Sequence, residues 1–218
     1  MTATKLIALR VALAVVAVAI FPFSAPLGML SILLFLVVEF IDMADGLVAQ
    51  YRGHKQPFGG FLDISADQCV ETLFWFLFLK YDLVPLWIPA FILIRNTFVN
   101  LMRTSALMSG NTMFGATGML TSRLGRLLVA TRFSRGIMVL VKTIGFVAAM
   151  LGYIVITYGD SAVPFPHPGP AALQTAATVA LTGLAVIHLV RGVILVRDAR
   201  GTLDAFLWST RAAAKVDQ

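Results

Sequence analysis

Four aspartates, Asp42, Asp45, Asp63 and Asp67, stand at D-x-x-D and D-x-x-x-D spacing in a chain that is otherwise apolar. Residues three or four apart share one face of a helix, so Asp42 and Asp45 point together from one helix and Asp63 and Asp67 from the next. The segment between the pairs is short, which makes the two helices antiparallel neighbours whose acidic faces can meet. An ionised Asp inside a membrane segment costs about 2.5 to 3.5 kcal/mol. Four of them need a compensating charge, and a divalent cation is the most economical source. Oxygen-only ligands suit hard cations such as Mg²⁺, Mn²⁺ or Ca²⁺ rather than zinc. Four carboxylates can hold two such ions, an arrangement that clamps phosphoryl oxygens during displacement at phosphorus.

Small residues flank the carboxylates. Gly46 follows Asp45, where a side chain would crowd a ligand approaching the metal, and Ala49 leaves room on the same face. Gly59 falls at the start of the third helix, where free N–H groups and the helix dipole favour an anion. Small residues beside acidic ones suggest a site for a large ligand that bears phosphates.

Composition sets the surroundings. The chain has 218 residues, 59% hydrophobic and 13% charged, with a mean hydropathy of +0.88. A soluble domain carries about 25% charged residues. The deficit and the repeated apolar runs near the length of a bilayer crossing indicate one integral membrane domain over residues 1–218. The net charge of +6 does not point to nucleic acid, because the basic residues cluster between apolar runs. The single cysteine, Cys69, rules out an internal disulfide and reads as a small core residue. His54, His167 and His188 show no ligand-like pairing.

Hydropathy gives an all-α bundle of six transmembrane helices near Leu6–Phe23, Leu27–Ala49, Gly60–Lys80, Leu83–Met102, Gly136–Tyr158 and Ala171–Val196. Lys5 and Arg10 before an apolar stretch would also suit a signal peptide. Cleavage after Ala25 would leave Pro26 first, however, and the stretch reads as a retained helix. Arg52 and Lys55 lie in the second loop, Arg103, Arg123, Arg126, Arg132 and Arg135 in or beside the fourth, and Arg197, Arg200, Arg211 and Lys215 in the tail. The alternate loops carry only Lys80, Asp82 and Asp160. The positive-inside bias makes both termini, and with them the Asp cluster, cytoplasmic. Residues Met119–Leu128 mix apolar and basic side chains, as an interfacial helix would. Gly145, Ala149 and Gly152 recur at near-helical spacing and would allow close helix packing.

The acidic pattern resembles the signature of the CDP-alcohol phosphotransferase (CDP-alcohol phosphatidyltransferase) family, D-x-x-D-G-x-x-A-R, eight residues, then G-x-x-x-D-x-x-x-D. Asp42, Asp45, Gly46, Ala49, Gly59, Asp63 and Asp67 match at the family's spacing, and Gln50 stands where the family has Arg. The resemblance implies that Asp42, Asp45, Asp63 and Asp67 ligate two divalent ions, Mg²⁺ or Mn²⁺, on the pyrophosphate of a CDP-linked donor. Asp67 would also be the general base that takes the acceptor's hydroxyl proton. Gly46, Ala49 and Gly59 would make room for the nucleotide, with Gln50 and, from the loop, Arg52 at its phosphates. The implied reaction moves a phosphatidyl group, from CDP-diacylglycerol, to a polar alcohol and releases CMP. The resemblance also implies a homodimer. Size and topology suit a bacterial inner membrane.

Charges outside the signature leave alternatives open. Glu39 and Glu71 extend the acidic stripe inward, either as a polar shell around the metals or as partners of Arg95 or Arg191. Arg103, Arg123, Arg126, Arg135 and Lys142 are candidates for binding the acceptor, although positive-inside bias and anionic lipid are the more ordinary account of any one of them. Lys142 lies about two turns inside the fifth helix, where a charge requires a partner. At this level three other functions stand: transfer of a head group from a small CDP-alcohol to a lipid alcohol, an inactive relative that only binds, and a cation transporter using the acidic stripe.

Overall fold

The computed structural model describes residues 3–51, 57–108, 122, 125, 127 and 131–216, with side chains for 5–43, 61–102, 104, 122, 125, 127, 131, 133, 134 and 136–198. Every regular element among them is helical. In chain order they are α1 (Ala3–Ile20), α2 (Ala25–Tyr51), α3 (Pro57–Lys80), α4 (Trp87–Met108), α5 (Arg132–Tyr158), a short 3₁₀ turn (Asp160–Ala162) and α6 (Pro170–Val216). Three segments, Ala25–Met43, Gly136–Tyr158 and Pro170–Asp198, are long and apolar enough to cross a bilayer on composition alone. The fold is all-α, with at least these three spans.

Local chemistry sets the ends. Pro57 and Pro170 each open a helix at the position where a missing N–H costs nothing. Thr131 caps α5 by accepting a hydrogen bond from the Ser134 amide at 3.2 Å. Asp82, at φ 51°, takes the left-handed conformation that ends α3, and the Leu83 amide returns to the Phe78 carbonyl at 2.9 Å. The expected spans agree with these helices to within four residues, except at the C-terminal end of α4, which runs on to Met108, and at that of α6. The fourth helix starts at Trp87 rather than Leu83, because the chain first completes the turn through Asp82 and Pro85. The last helix runs on to Val216, since the Ala-rich stretch beyond Val196 holds no proline to stop it.

α1 packs on α2 and α3, α5 on α2 and α6, and α4 joins α3 to α6. Phe35 of α2, Phe74, Trp75 and Phe78 of α3 and Phe146 of α5 form a buried aromatic core. The Phe146 ring lies 4.7 Å from Phe78 and 4.8 Å from Trp75, both edge to face. Tyr158 donates to the Pro22 carbonyl at 2.8 Å and ties α5 to the α1–α2 connection. Phe76, Phe98, Leu140, Ile144 and Val179 point outward, as side chains solvated by lipid do. Cys69 is exposed rather than in the core, because it falls on the face of α3 opposite the one that packs into the bundle.

The small-residue pattern of the fifth span is a packing device. A Cβ on Gly145 would sit 2.6 Å from Leu181 Cδ2 of α6 and 3.3 Å from Ala180 Cβ. Leu181 is fully buried, which limits its ability to move aside. Gly145→Val is expected to destabilise the protein by about 1–3 kcal/mol, with partial rescue by Leu181→Ala. Thermal unfolding in detergent checks both.

Candidate functional site

Alternating helix directions bring six polar segments to one end of the bundle. They are the start of α1, the end of α2, the starts of α3 and α5, and the C-terminal parts of α4 and α6. Asp42 projects from α2, and Asp63 and Asp67 project from α3 one turn apart. One carboxylate oxygen from each of the three lies within 4.8 Å of the others. The two acidic pairs thus face each other as the spacing predicts, for every member whose side chain is described. Asp45 lies one turn beyond Asp42 in α2, with its side chain outside the described residues. Three carboxylates at this separation are a hard-oxygen donor set for one divalent cation of the Mg²⁺, Mn²⁺ or Ca²⁺ class.

The charge that answers them in the structure comes from Arg10, which the sequence offers only as a flanking charge of the first apolar run. Arg10 is 1% exposed. One guanidinium nitrogen donates to Asp42 Oδ1 and the other to Asp67 Oδ1. The first of these also lies 3.7 Å from Asp63 Oδ1. A planar guanidinium donates through both nitrogens in a fixed fork, so it can bridge two carboxylates that belong to different helices. The signal in the sequence is positional: Arg10 lies inside the first span at the depth where the second ends and the third begins.

Behind the triad a cavity of about 290 Å³ runs between the helices, lined in part by Arg10, Asp42, Asp67, Gln68, Glu71 and Lys142. Glu39 and Glu71 do reach this interior, but Glu39 pairs with Lys142 at 2.9 Å rather than with Arg95 or Arg191. The two residues of that pair meet because α2 packs on α5. Glu71 accepts from Asn96 Nδ2 at 2.9 Å and from Trp75 Nε1 at 3.3 Å, and Asn96 in turn accepts from Arg95 at 3.0 Å. Arg191 donates to the Ser134 hydroxyl at 3.1 Å. Gln68 bonds Thr97 at 3.2 Å and accepts from Asn100, which stitches α3 to α4 beside Asp67. His188 on the far wall is 7% exposed, and its Nδ1 has no hydrogen-bond partner among the described residues.

The remaining expected site residues divide by how much of them is described. Gly46, Ala49 and Gln50 lie in the last turns of α2, Gly59 in the first turn of α3, Arg103 in α4 and Arg135 in α5. Their side-chain environments fall outside the described residues, and Arg52, Arg123 and Arg126 lie outside them entirely, as does most of the expected interfacial segment Met119–Leu128. Within that segment, Ser122 is bonded through both its amide and its hydroxyl to Asp198 of α6, at 3.1 and 2.7 Å.

A model of the CDP-alcohol phosphatidyltransferase family matches residues 1–199. Comparison with curated proteins and with solved structures gives no match.

Removing one member of the internal ion pair isolates a charge inside the bundle. Glu39→Gln is expected to cost about 1–3 kcal/mol of stability, the partial exposure of both groups moderating the loss. Adding Lys142→Met to that variant should recover most of it. A double-mutant cycle of thermal unfolding tests the coupling; additive losses would show that the pair contributes nothing.

Proposed function

The chain belongs to the CDP-alcohol phosphatidyltransferase family, and we propose that it moves a phosphatidyl group from CDP-diacylglycerol to the hydroxyl of a compact polar acceptor, releasing CMP. A membrane-embedded phosphotransferase reaction on a CDP-linked substrate goes with the family. The choice of donor and of direction is our reading. The observation that carries it is the convergence of Asp42, Asp63 and Asp67, with Asp42 and Asp67 also lining a cavity of about 290 Å³ that holds further charged and amide side chains. That volume is near the lower limit for small-molecule sites, which suits a polar head group rather than a nucleotide with its lipid.

In this reading two divalent cations, Mg²⁺ or Mn²⁺, are held by Asp42, Asp45, Asp63 and Asp67, an all-oxygen set suited to hard ions. When bound, they neutralise the donor's diphosphate and the charge that develops on the departing CMP. The chain's own groups do the rest. The outer oxygen of Asp67 takes the proton of the acceptor hydroxyl as that oxygen bonds to phosphorus and the bond from phosphorus to the CMP oxygen breaks. Gln68 and Asn100, linked to each other beside Asp67, supply amide groups that orient the acceptor, and His188 offers a ring nitrogen on the cavity wall. Lys142 lies on the cavity wall, and Arg103, Arg123, Arg126 and Arg135 belong to the same acceptor-binding proposal. Gly46, Ala49 and Gln50 near the end of α2 and Gly59 near the start of α3 form the nucleotide side, and Arg52 belongs to the same proposal.

Six crossings with both termini and the acidic triad on the cytoplasmic side of a bacterial inner membrane complete the proposal. The alternation of helix ends and the basic loops support it. The homodimer implied by the family pattern belongs to the same reading.

The test is CMP release by purified protein given CDP-diacylglycerol, Mg²⁺ or Mn²⁺ and a panel of acceptors that includes inositol phosphate, glycerol phosphate and serine. Release should require one acceptor, vanish with EDTA and fall by at least about 100-fold in Asp67→Asn, the scale of a lost general base. Release that ignores the acceptor, or that persists in Asp67→Asn, would sink the assignment.

A further inference from the structure

Arg10 and a divalent cation compete for the same space. The guanidinium reaches Asp42 and Asp67 through its two nitrogens and stands 3.7 Å from Asp63. It therefore occupies the middle of the three oxygens that a shared ion would need. A hard cation binds carboxylate oxygen at about 2.0–2.6 Å, too close to admit a guanidinium between its ligands. The charges also count toward an exchange. A divalent ion brings two positive charges to the carboxylates where the guanidinium brings one, so the exchange leaves the triad better neutralised.

We propose that Arg10 is an exchangeable counter-ion of the acidic triad: it holds the carboxylates together until a divalent cation takes their oxygens, then turns to the diphosphate of the nucleotide donor. This rests on the metal-centre reading above and adds a second state to it. Two further observations support it. Arg10 sits on the cavity wall at the triad, with its backbone fixed on α1, which packs against both acidic helices. A withdrawn guanidinium therefore stays within reach of whatever the metal binds. The signature's own arginine is also missing, since position 50 is Gln. A guanidinium released at the triad supplies the phosphate-binding charge that position 50 lacks, and its fork suits phosphate oxygens as it suits carboxylates.

The experiment uses the full chain in detergent and three readouts: Mn²⁺ affinity by calorimetry, CDP affinity in saturating Mn²⁺, and thermal unfolding with and without Mn²⁺. Removing a bidentate charged competitor in Arg10→Gln should tighten Mn²⁺ binding by about tenfold or more and weaken CDP binding by a similar factor. The metal-free variant should unfold at a lower temperature than the wild type, and Mn²⁺ should restore it. Arg10→Lys, which keeps the charge and loses the fork, should fall between the two. It reads the same exchange should Arg10→Gln fail to fold.

Unchanged or weaker Mn²⁺ affinity in these variants would make Arg10 a fixed clamp and overturn the exchange. Tighter Mn²⁺ binding with unchanged CDP affinity would overturn its second half. Asp63→Ala separates the two levels of the argument. If it binds Mn²⁺ as the wild type does, the triad is not the metal centre, and that reading fails before the role of Arg10 is reached.

Discussion

Three carboxylates that converge at one end of a helical bundle repel one another and must meet positive charge where they stand. In this protein Arg10 meets that demand, reaching from α1 to Asp42 on α2 and Asp67 on α3. A single side chain thereby joins the first three helices at the end where the chemistry lies. The aromatic core farther along the same helices fixes their spacing through contact alone. The two devices divide the work: dispersion and edge-to-face packing hold the interior, and charge-assisted hydrogen bonds hold the polar end.

The same demand repeats behind the triad. Lys142 enters α5 as a charge within an apolar run and finds Glu39. Glu71 draws donors from Asn96 and Trp75, and Arg95 reaches the network through Asn96. The Lys142–Glu39 pair joins α5 to α2 and the Asn96–Glu71 bond joins α4 to α3, while Trp75 and Arg95 support them from within their own helices. The cavity they enclose is lined by hydrogen-bonded and charged side chains held in place by their partners. Close helix contact at Gly145 and Gly28 keeps α5 against α6 and α2, which keeps Lys142 opposite Glu39.

Most of the fold and half of the site are legible in the sequence. Helix identity follows from apolar runs whose ends are marked by Pro57, Pro170 and the turn at Asp82. These are local signals that need no knowledge of neighbours. The acidic pairs follow from spacing of three and four, because helical geometry alone puts Asp63 above Asp67. The misreadings share one cause. Cys69 was expected inside and faces out, and the ion-pair partner of Glu39 is Lys142, where Arg95 and Arg191 were the partners weighed. Which face of an apolar helix turns to lipid, and which of several distant charges becomes a partner, are properties of packing.

The sequence by itself determined the element types, the acidic signature and the family to which they belong, since each is written in residues close together along the chain. Only the tertiary structure decided that Arg10, 32 residues from Asp42 and 57 from Asp67, is the counter-charge of the cluster. A pairing across such separations leaves no periodic trace. It exists because up-and-down helices return the start of α1, the end of α2 and the start of α3 to one end of the bundle, where like charges would otherwise repel.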